Sequence, residues 1–236
     1  FKQSPNDVFI AQTPQQLSFF QRFSGPKIYI EHNRGTIVQH HYAPSDYYVV
    51  FVGEFVKRAW IPSHSKWTVI ETGLPDEFFP YEGTRSVILS VVNHWKERDW
   101  CCGFSLWERV TKDLSTKVIG KNPFSAPAKD WSELRHAYAS CRVYFHTTIS
   151  FTSMALREAL MTGMPVVTRL QDIPFEDGVE ILIGKDEADM RSKLEWMLKD
   201  LDSARRIGKH ARRRALQLFD IKQFINKWRD LLEEIG

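Results

Sequence analysis

Cysteine is scarce in this chain of 236 residues: there are three, and two of them, Cys101 and Cys102, are adjacent. A sparse, odd set excludes a disulfide-stapled scaffold, and a vicinal pair lacks metal-ligand spacing. A reducing compartment and a metal-free protein are therefore expected. Long hydrophobic runs are missing too. The longest, such as VVFVGEFV from Val49, stop far short of the ~20 residues that span a bilayer. Neither sign of charge dominates: 32 basic against 29 acidic residues leave a formal +3, which does not call for nucleic acid. No repeat, low-complexity tract or signal-peptide pattern is visible. The chain opens on Phe1 rather than Met, which leaves open whether a native N-terminus lies further upstream. What remains is the balance of an ordinary globular protein, 43% hydrophobic and 26% charged. That is chain enough for one large domain or two small ones, and a cytoplasmic location is expected.

Short β-rich runs alternate with amphipathic stretches, the pattern of parallel sheets with crossover helices. In the first half, strands are expected at Asp7–Gln12, Lys27–His32, Tyr47–Gly53 and Trp67–Thr72, with a helix at PQQLSFFQRF. Two prolines and two glycines between Gly73 and Arg85 then interrupt the pattern. The expected boundary falls there, giving a short first domain, 1–83, and a second, 84–236. The second series of strands is Ser86–Val92, Thr116–Gly120, Cys141–Thr147 and Met164–Arg169, interleaved with helices such as WSELRHAYAS and SMALREALMTG. Gly163 and Pro165 stop the latter helix and launch the next strand. Beyond Ile183 the chain reads as helical almost throughout, and these helices are assigned to the second domain. The expected fold class is α/β, with two Rossmann-like, doubly wound parallel-sheet domains, the first of them reduced.

Ligands of open α/β sheets bind outside the carboxyl ends of the strands. The turn from CRVYFHT into SMALREALMTG is the best candidate, because Thr147, Thr148, Ser150, Thr152 and Ser153 crowd it with hydroxyls. Such residues suit an N-cap, and the first helical turn leaves backbone N–H groups for an anion. Glu158 follows about six residues after Thr152, roughly 9 Å further along the axis. That is the span from a diphosphate to a ribose hydroxyl pair. From spacing alone, a capped core helix with one solvated Glu is the simpler reading.

A resemblance shifts that balance. REALMTGMPVVTR, Arg157 to Arg169, is similar to the EA-x-A-x-G-x-PVV stretch of nucleotide-sugar glycosyltransferases with the GT-B fold. Within these, the large retaining group called glycosyltransferase family four, or glycosyl transferases group one, matches best. WTVIETGLPDEFFPY resembles that family's interdomain linker, and PKIYIEHN and YYVVFVGEFVKRAW resemble two of its N-terminal segments. The matches run in the family's order along nearly the whole chain. The resemblance implies that Glu158 binds the donor ribose, and that Thr152, Ser153 and Met154 hold the diphosphate through backbone N–H groups. His32 would reach the donor sugar and distal phosphate as the catalytic-side residue. Lys96 or Arg98 would neutralise the diphosphate, and Gly120 and Asn122 would line the nucleobase.

The implied reaction is metal-independent, retaining transfer from a UDP-, GDP- or ADP-linked sugar, with no cofactor, in a cleft between the two domains. The acceptor, whether glycan, lipid or small molecule, stays open. Three departures matter: the family's first glutamate falls on Ser150, its phosphate-binding arginine on Asn93, and the first domain is short. They keep a second reading open, a catalytically reduced nucleotide-sugar-binding or assembly subunit. A homo-oligomer or partner chain would then complete the acceptor side. An epimerase or hydrolase of nucleotide sugars is the third, and no carboxylate pair with the spacing for it can be assigned. His146 stands at a strand end beside the proposed site. The other histidines lack ligand spacing. The basic run ARRIGKHARRR, Ala204 to Arg214, reads as a solvated helix, with peripheral contact to a membrane surface as its minority reading.

Overall fold

A computed structural model describes residues 7–32, 44–60, 66–151 and 153–236. In chain order the elements are β1 (Phe9–Ala11), α1 (Pro14–Phe20), β2 (Lys27–Glu31), β3 (Tyr47–Phe51), α2 (Glu54–Lys57) and β4 (Trp67–Val69). There follow β5 (Arg85–Val91), α3 (Asp99–Cys102), α4 (Phe104–Val110), β6 (Thr116–Ile119), α5 (Trp131–Ser140) and β7 (Cys141–His146). The series closes with α6 (Met154–Thr162), β8 (Val166–Thr168), β9 (Leu182–Ile183), α7 (Glu187–Lys199), α8 (Leu201–Leu218) and α9 (Ile221–Ile235). All eight expected strands form, most of them shorter than their β-rich runs. The ninth, β9, has two residues, too few to show a period in sequence.

The chain divides into two units, Phe1–Leu74 with Phe219–Gly236, and Pro75–Leu218. The expected division at 83/84, with every terminal helix in the second domain, differs from this at both ends. The reason lies in α9. Leu231 of that helix packs with Ile28 of β2, Val50 of β3 and Ile70, which directly follows β4, and Phe224, Trp228 and Ile235 pack against the same cluster. The Leu74 N–H also donates to the Phe219 carbonyl at 2.8 Å. An apolar stripe declares that a helix buries one face; it does not declare against which sheet.

In the first unit, four parallel strands lie in the order β1-β2-β3-β4. Thr13 and Gln16 close a capping box at the start of α1, with Pro14 at the first turn. In the second unit, five parallel strands lie in the order β6-β5-β7-β8-β9. All six residues of the central strand β7 are buried, as a parallel strand covered on both faces requires. Ile88, Val143, Phe145, Val167 and Leu182 form one side of the core, under Met190, Leu194 and Met197 of α7 and Ile207 of α8. Since β5 connects towards β6 and β7 towards β8, the order in which strands are laid down reverses between β5 and β7. That is the topological switch point, where such sheets open a crevice.

Helix α6 ends on Gly163 in the left-handed conformation, φ 84°. A Cβ placed on Gly208 of α8 would lie 1.9 Å from the Gly163 carbonyl oxygen, so only glycine allows this approach. The basic run is therefore more than a solvated helix. Arg212 caps the α6 carbonyl of Met161 and pairs with Asp76 at 2.8 Å, while Arg205 and Arg214 donate to the carbonyls of Glu82 and Pro174. Among the described residues, no helix is long and apolar enough to cross a membrane.

Candidate functional site

The loops leaving β5 and β6 are clasped together by two asparagines. Asn93 Oδ1 accepts the Lys121 N–H, and Asn122 Oδ1 accepts the Trp95 N–H, each at 2.8 Å. Asn122 Nδ2 donates to the Val92 carbonyl at 2.8 Å and to Ser125 Oγ at 2.9 Å. Gly120 has φ 146°, and a Cβ there would fall 2.0 Å from the Val92 carbonyl oxygen. Asn122, expected to line a nucleobase, thus works inward through both ends of its amide. Gly120 serves the same clasp.

Helix α3 pins the next loop, the turn after β7. The Cys102 carbonyl accepts Trp95 Nε1–H at 2.9 Å and the Thr147 hydroxyl at 2.6 Å, and the Cys101 carbonyl accepts the Ile149 N–H at 3.0 Å. Asp99 accepts the backbone N–H and the hydroxyl of Ser105, at 2.8 and 2.5 Å. These bonds hold its carboxyl below the usual range. Lys96 and Arg98 are exposed on the loop between β5 and α3, with the Lys96 ammonium 4.9 Å from the Phe104 ring centroid. Ser150 is half-buried in the turn. Thr152 lies outside the described residues. Ser153 is the N-cap of α6 without a side-chain capping bond, and Met154 is exposed beside it.

Further along α6, Glu158 is half-buried, and its carboxylate accepts the Tyr138 hydroxyl at 2.9 Å. Burial raises its pKa above the ordinary carboxylate value. It is not the solvated Glu that spacing alone suggests. His146, 2% exposed, ends β7. Its Nδ1 lies 3.2 Å from Thr168 Oγ1, which also accepts the Leu170 N–H. The hydroxyl can donate to Nδ1, and in that tautomer the imidazole proton sits on Nε2. Burial, followed by the nearby positive charge of Arg169, pushes the His146 pKa down to about 3.

The folded state therefore keeps His146 neutral, whereas the unfolded chain takes up a proton near its ordinary value. Its contribution is fully present above about pH 6.5 and declines as the pH falls towards 3. Thermal unfolding of wild type and His146→Leu between pH 5 and 8 is expected to show the steeper acid loss in wild type. Parallel slopes would count against the assignment.

The structure gathers Glu158, Ser150, Ser153, Met154, Lys96, Arg98, Gly120 and Asn122 on the loops and helix at the carboxyl ends of β5, β6 and β7. His32 lies in the other unit, exposed at the carboxyl end of β2. Arg169, which follows β8, was not singled out from sequence. The one signal was a cation directly after a strand. Among the described residues, no cluster of three His, Cys, Asp or Glu side chains could hold a metal ion.

Residues 104–230, more than half of the chain, match the family described as glycosyl transferase-like. The chain belongs to that family. Comparison with curated proteins returns no significant match. Among solved structures, this glycosyl transferase-like chain is similar to TarM, with TM-score 0.73 at 12% identity, over 95% of this chain and 54% of that one. It is similar to the sucrose-phosphate synthase of Thermosynechococcus elongatus, with TM-score 0.74 at 14% identity over 96% and 73%. It is also similar to Anabaena HepE solved with UDP, with TM-score 0.73 at 15% identity over 97% and 79%. It spans about half the length of TarM. The fold is the expected GT-B class, two parallel-sheet α/β units.

Proposed function

We propose that this chain transfers a sugar from a nucleotide diphosphate-sugar to an acceptor, with retention and without a metal. The observation that carries the reading is Glu158, held by Tyr138 on the helix that opens beside the switch point. A half-buried carboxylate there suits a ribose hydroxyl pair, one α6 segment away from backbone N–H groups suited to a diphosphate. Breaking the sugar–phosphate bond passes through an oxocarbenium-like state while negative charge grows on the departing diphosphate. Ser153 and Met154 at the α6 mouth, with Thr152 next to them in sequence and with Lys96 and Arg98, would stabilise that charge. His32 is proposed to serve the sugar side. HepE has been solved with UDP-glucose, and pneumococcal O-GlcNAc transferase GtfA with UDP and GlcNAc, which supports a UDP-linked donor over GDP or ADP. The acceptor class is a glycan, a lipid or a small molecule.

Ser150 favours a second reading, a donor-binding subunit that needs a partner chain, because a hydroxyl replaces the carboxylate implied by resemblance. Calorimetric titration with UDP-, GDP- and ADP-glucose in EDTA, followed by an assay for released nucleotide, separates the two. Binding of one base class with turnover is expected. Binding without turnover would favour the subunit reading, and no binding to any donor would overturn both.

A further inference from the structure

Two polar groups near the switch point have no use in the fold. His146 Nε2 is buried without a hydrogen-bond partner, and so is Arg169 Nε. No ion pair holds the Arg169 guanidinium among the described residues. Buried polar groups are nearly always satisfied, so two orphans on adjacent strand ends call for an external partner. We propose that His146 and Arg169 form an oxyanion subsite at the carboxyl ends of β7 and β8, taking a carboxylate or phosphate group of the donor. The proposal rests on the transferase reading given above.

The chemistry on both residues has one sign. With the Thr168 hydroxyl donating to His146 Nδ1, the tautomer this subsite requires, the ring offers Nε2–H as a donor. A guanidinium offers donors only and keeps its charge. Asp99 is an acid whose charge reaches Arg169. It gives one oxygen each to the N–H and hydroxyl of Ser105, and it makes no ion pair with Arg169. A neutral sugar hydroxyl would satisfy His146 yet leave a partly buried cation uncompensated. An oxyanion satisfies both, with charge-assisted bonds. Two sources fit: the distal phosphate that every such donor carries, and the carboxylate of an acidic sugar.

The test titrates the full chain with the nucleoside diphosphate that wild type binds, its glucose conjugate and its glucuronate conjugate. Wild type is compared with His146→Leu, Arg169→Met and Arg169→Lys. Arg169→Met removes an unpaired polar group, so its melting temperature at pH 7.5 is expected to stay within a few degrees of wild type. His146→Leu also takes the acceptor from the buried Thr168 hydroxyl and is expected to melt somewhat lower. Affinity is expected to fall at least tenfold in Arg169→Met and several-fold in His146→Leu, with Arg169→Lys between Met and wild type. A loss confined to the glucuronate conjugate assigns the subsite to a sugar carboxylate, whereas an equal loss for all three ligands assigns it to the distal phosphate. Unchanged affinities in every variant overturn the subsite and leave the transferase reading intact. Should wild type bind no nucleotide, the transferase reading falls and the subsite with it.

Discussion

Replacing Glu158 by Gln is expected to make the protein more heat-stable and, in the same step, to remove most of its affinity for a nucleotide-sugar. The two effects share one cause. Burial raises the Glu158 pKa, so the native state resists the ionised carboxylate that neutral pH imposes. A group raised in this way supports folding below its unfolded pKa, and that support is lost as the pH rises through the folded value. Gln keeps an acceptor for the Tyr138 hydroxyl and carries no charge. The melting temperature at pH 7.5 should rise by about 2–4 °C, the equivalent of about 1 kcal/mol in a chain of this size. The gain should shrink towards acid pH, where wild type is no longer ionised.

The ligand has the opposite preference. Ribose hydroxyls donate to a charged acceptor, and such bonds contribute about 1.5–3 kcal/mol, so binding should weaken on the order of 10²-fold. Glu158→Ala separates the causes. It should lose as much affinity but also lose stability, because the fully buried Tyr138 hydroxyl is left without its acceptor. Scanning calorimetry and titration on the same three samples decide the matter. Undiminished nucleotide-sugar binding in both variants would remove Glu158 from the site.

Gly208→Ala is the second large effect, and its sign opposes what helix propensity alone dictates. Alanine in place of glycine within an exposed helix stabilises by about 1 kcal/mol. Here the new methyl group would meet the Gly163 carbonyl oxygen at 1.9 Å, a backbone atom with little room to retreat. Gly163 closes α6 in the left-handed conformation, its N–H directed to the carbonyls of Ala159 and Leu160. Arg212, one turn further along α8, caps Met161 of the same helix. Overpacking of this kind costs about 1–3 kcal/mol and sometimes more. With the propensity gain set against it, a net loss of about 2 kcal/mol would lower the melting temperature by roughly 4–8 °C. Since α6 carries Glu158, nucleotide-sugar affinity should weaken as well. A melting temperature at or above wild type would show that the two helices have slack at this contact.

Strand positions were legible because β-branched and aromatic runs bounded by Gly, Pro, Asn and Asp have few alternatives. The turn into α6 was legible as a site for the same local reasons. Partnership was not. Nothing in a sequence window says that α9 packs on Ile28, Val50 and Ile70 of the first sheet rather than beside α8, since its stripe fits either surface. Nor does it say that Asn93 and Asn122 clasp two loops, because their partners, Lys121 for one and Val92 and Trp95 for the other, come from the other loop. Arg169 and His146 gain their interest from what fails to meet them, a property of neighbours in space. The pairing of Tyr138 with Glu158 joins two helices across β7, so the sequence could offer the carboxylate but not its burial.

The return of α9 to the first unit has a consequence for synthesis. As the chain emerges from the ribosome, β1 to β4 precede α9 by the whole of the second unit, so the side of their sheet around Ile28, Val50 and Ile70 waits for Leu231 and its helix. The second unit, Pro75 to Leu218, has all of its strands and helices available before that moment. A unit begun before the other is therefore completed after it, and its open apolar face is what a chaperone would have to shield while the other unit folds.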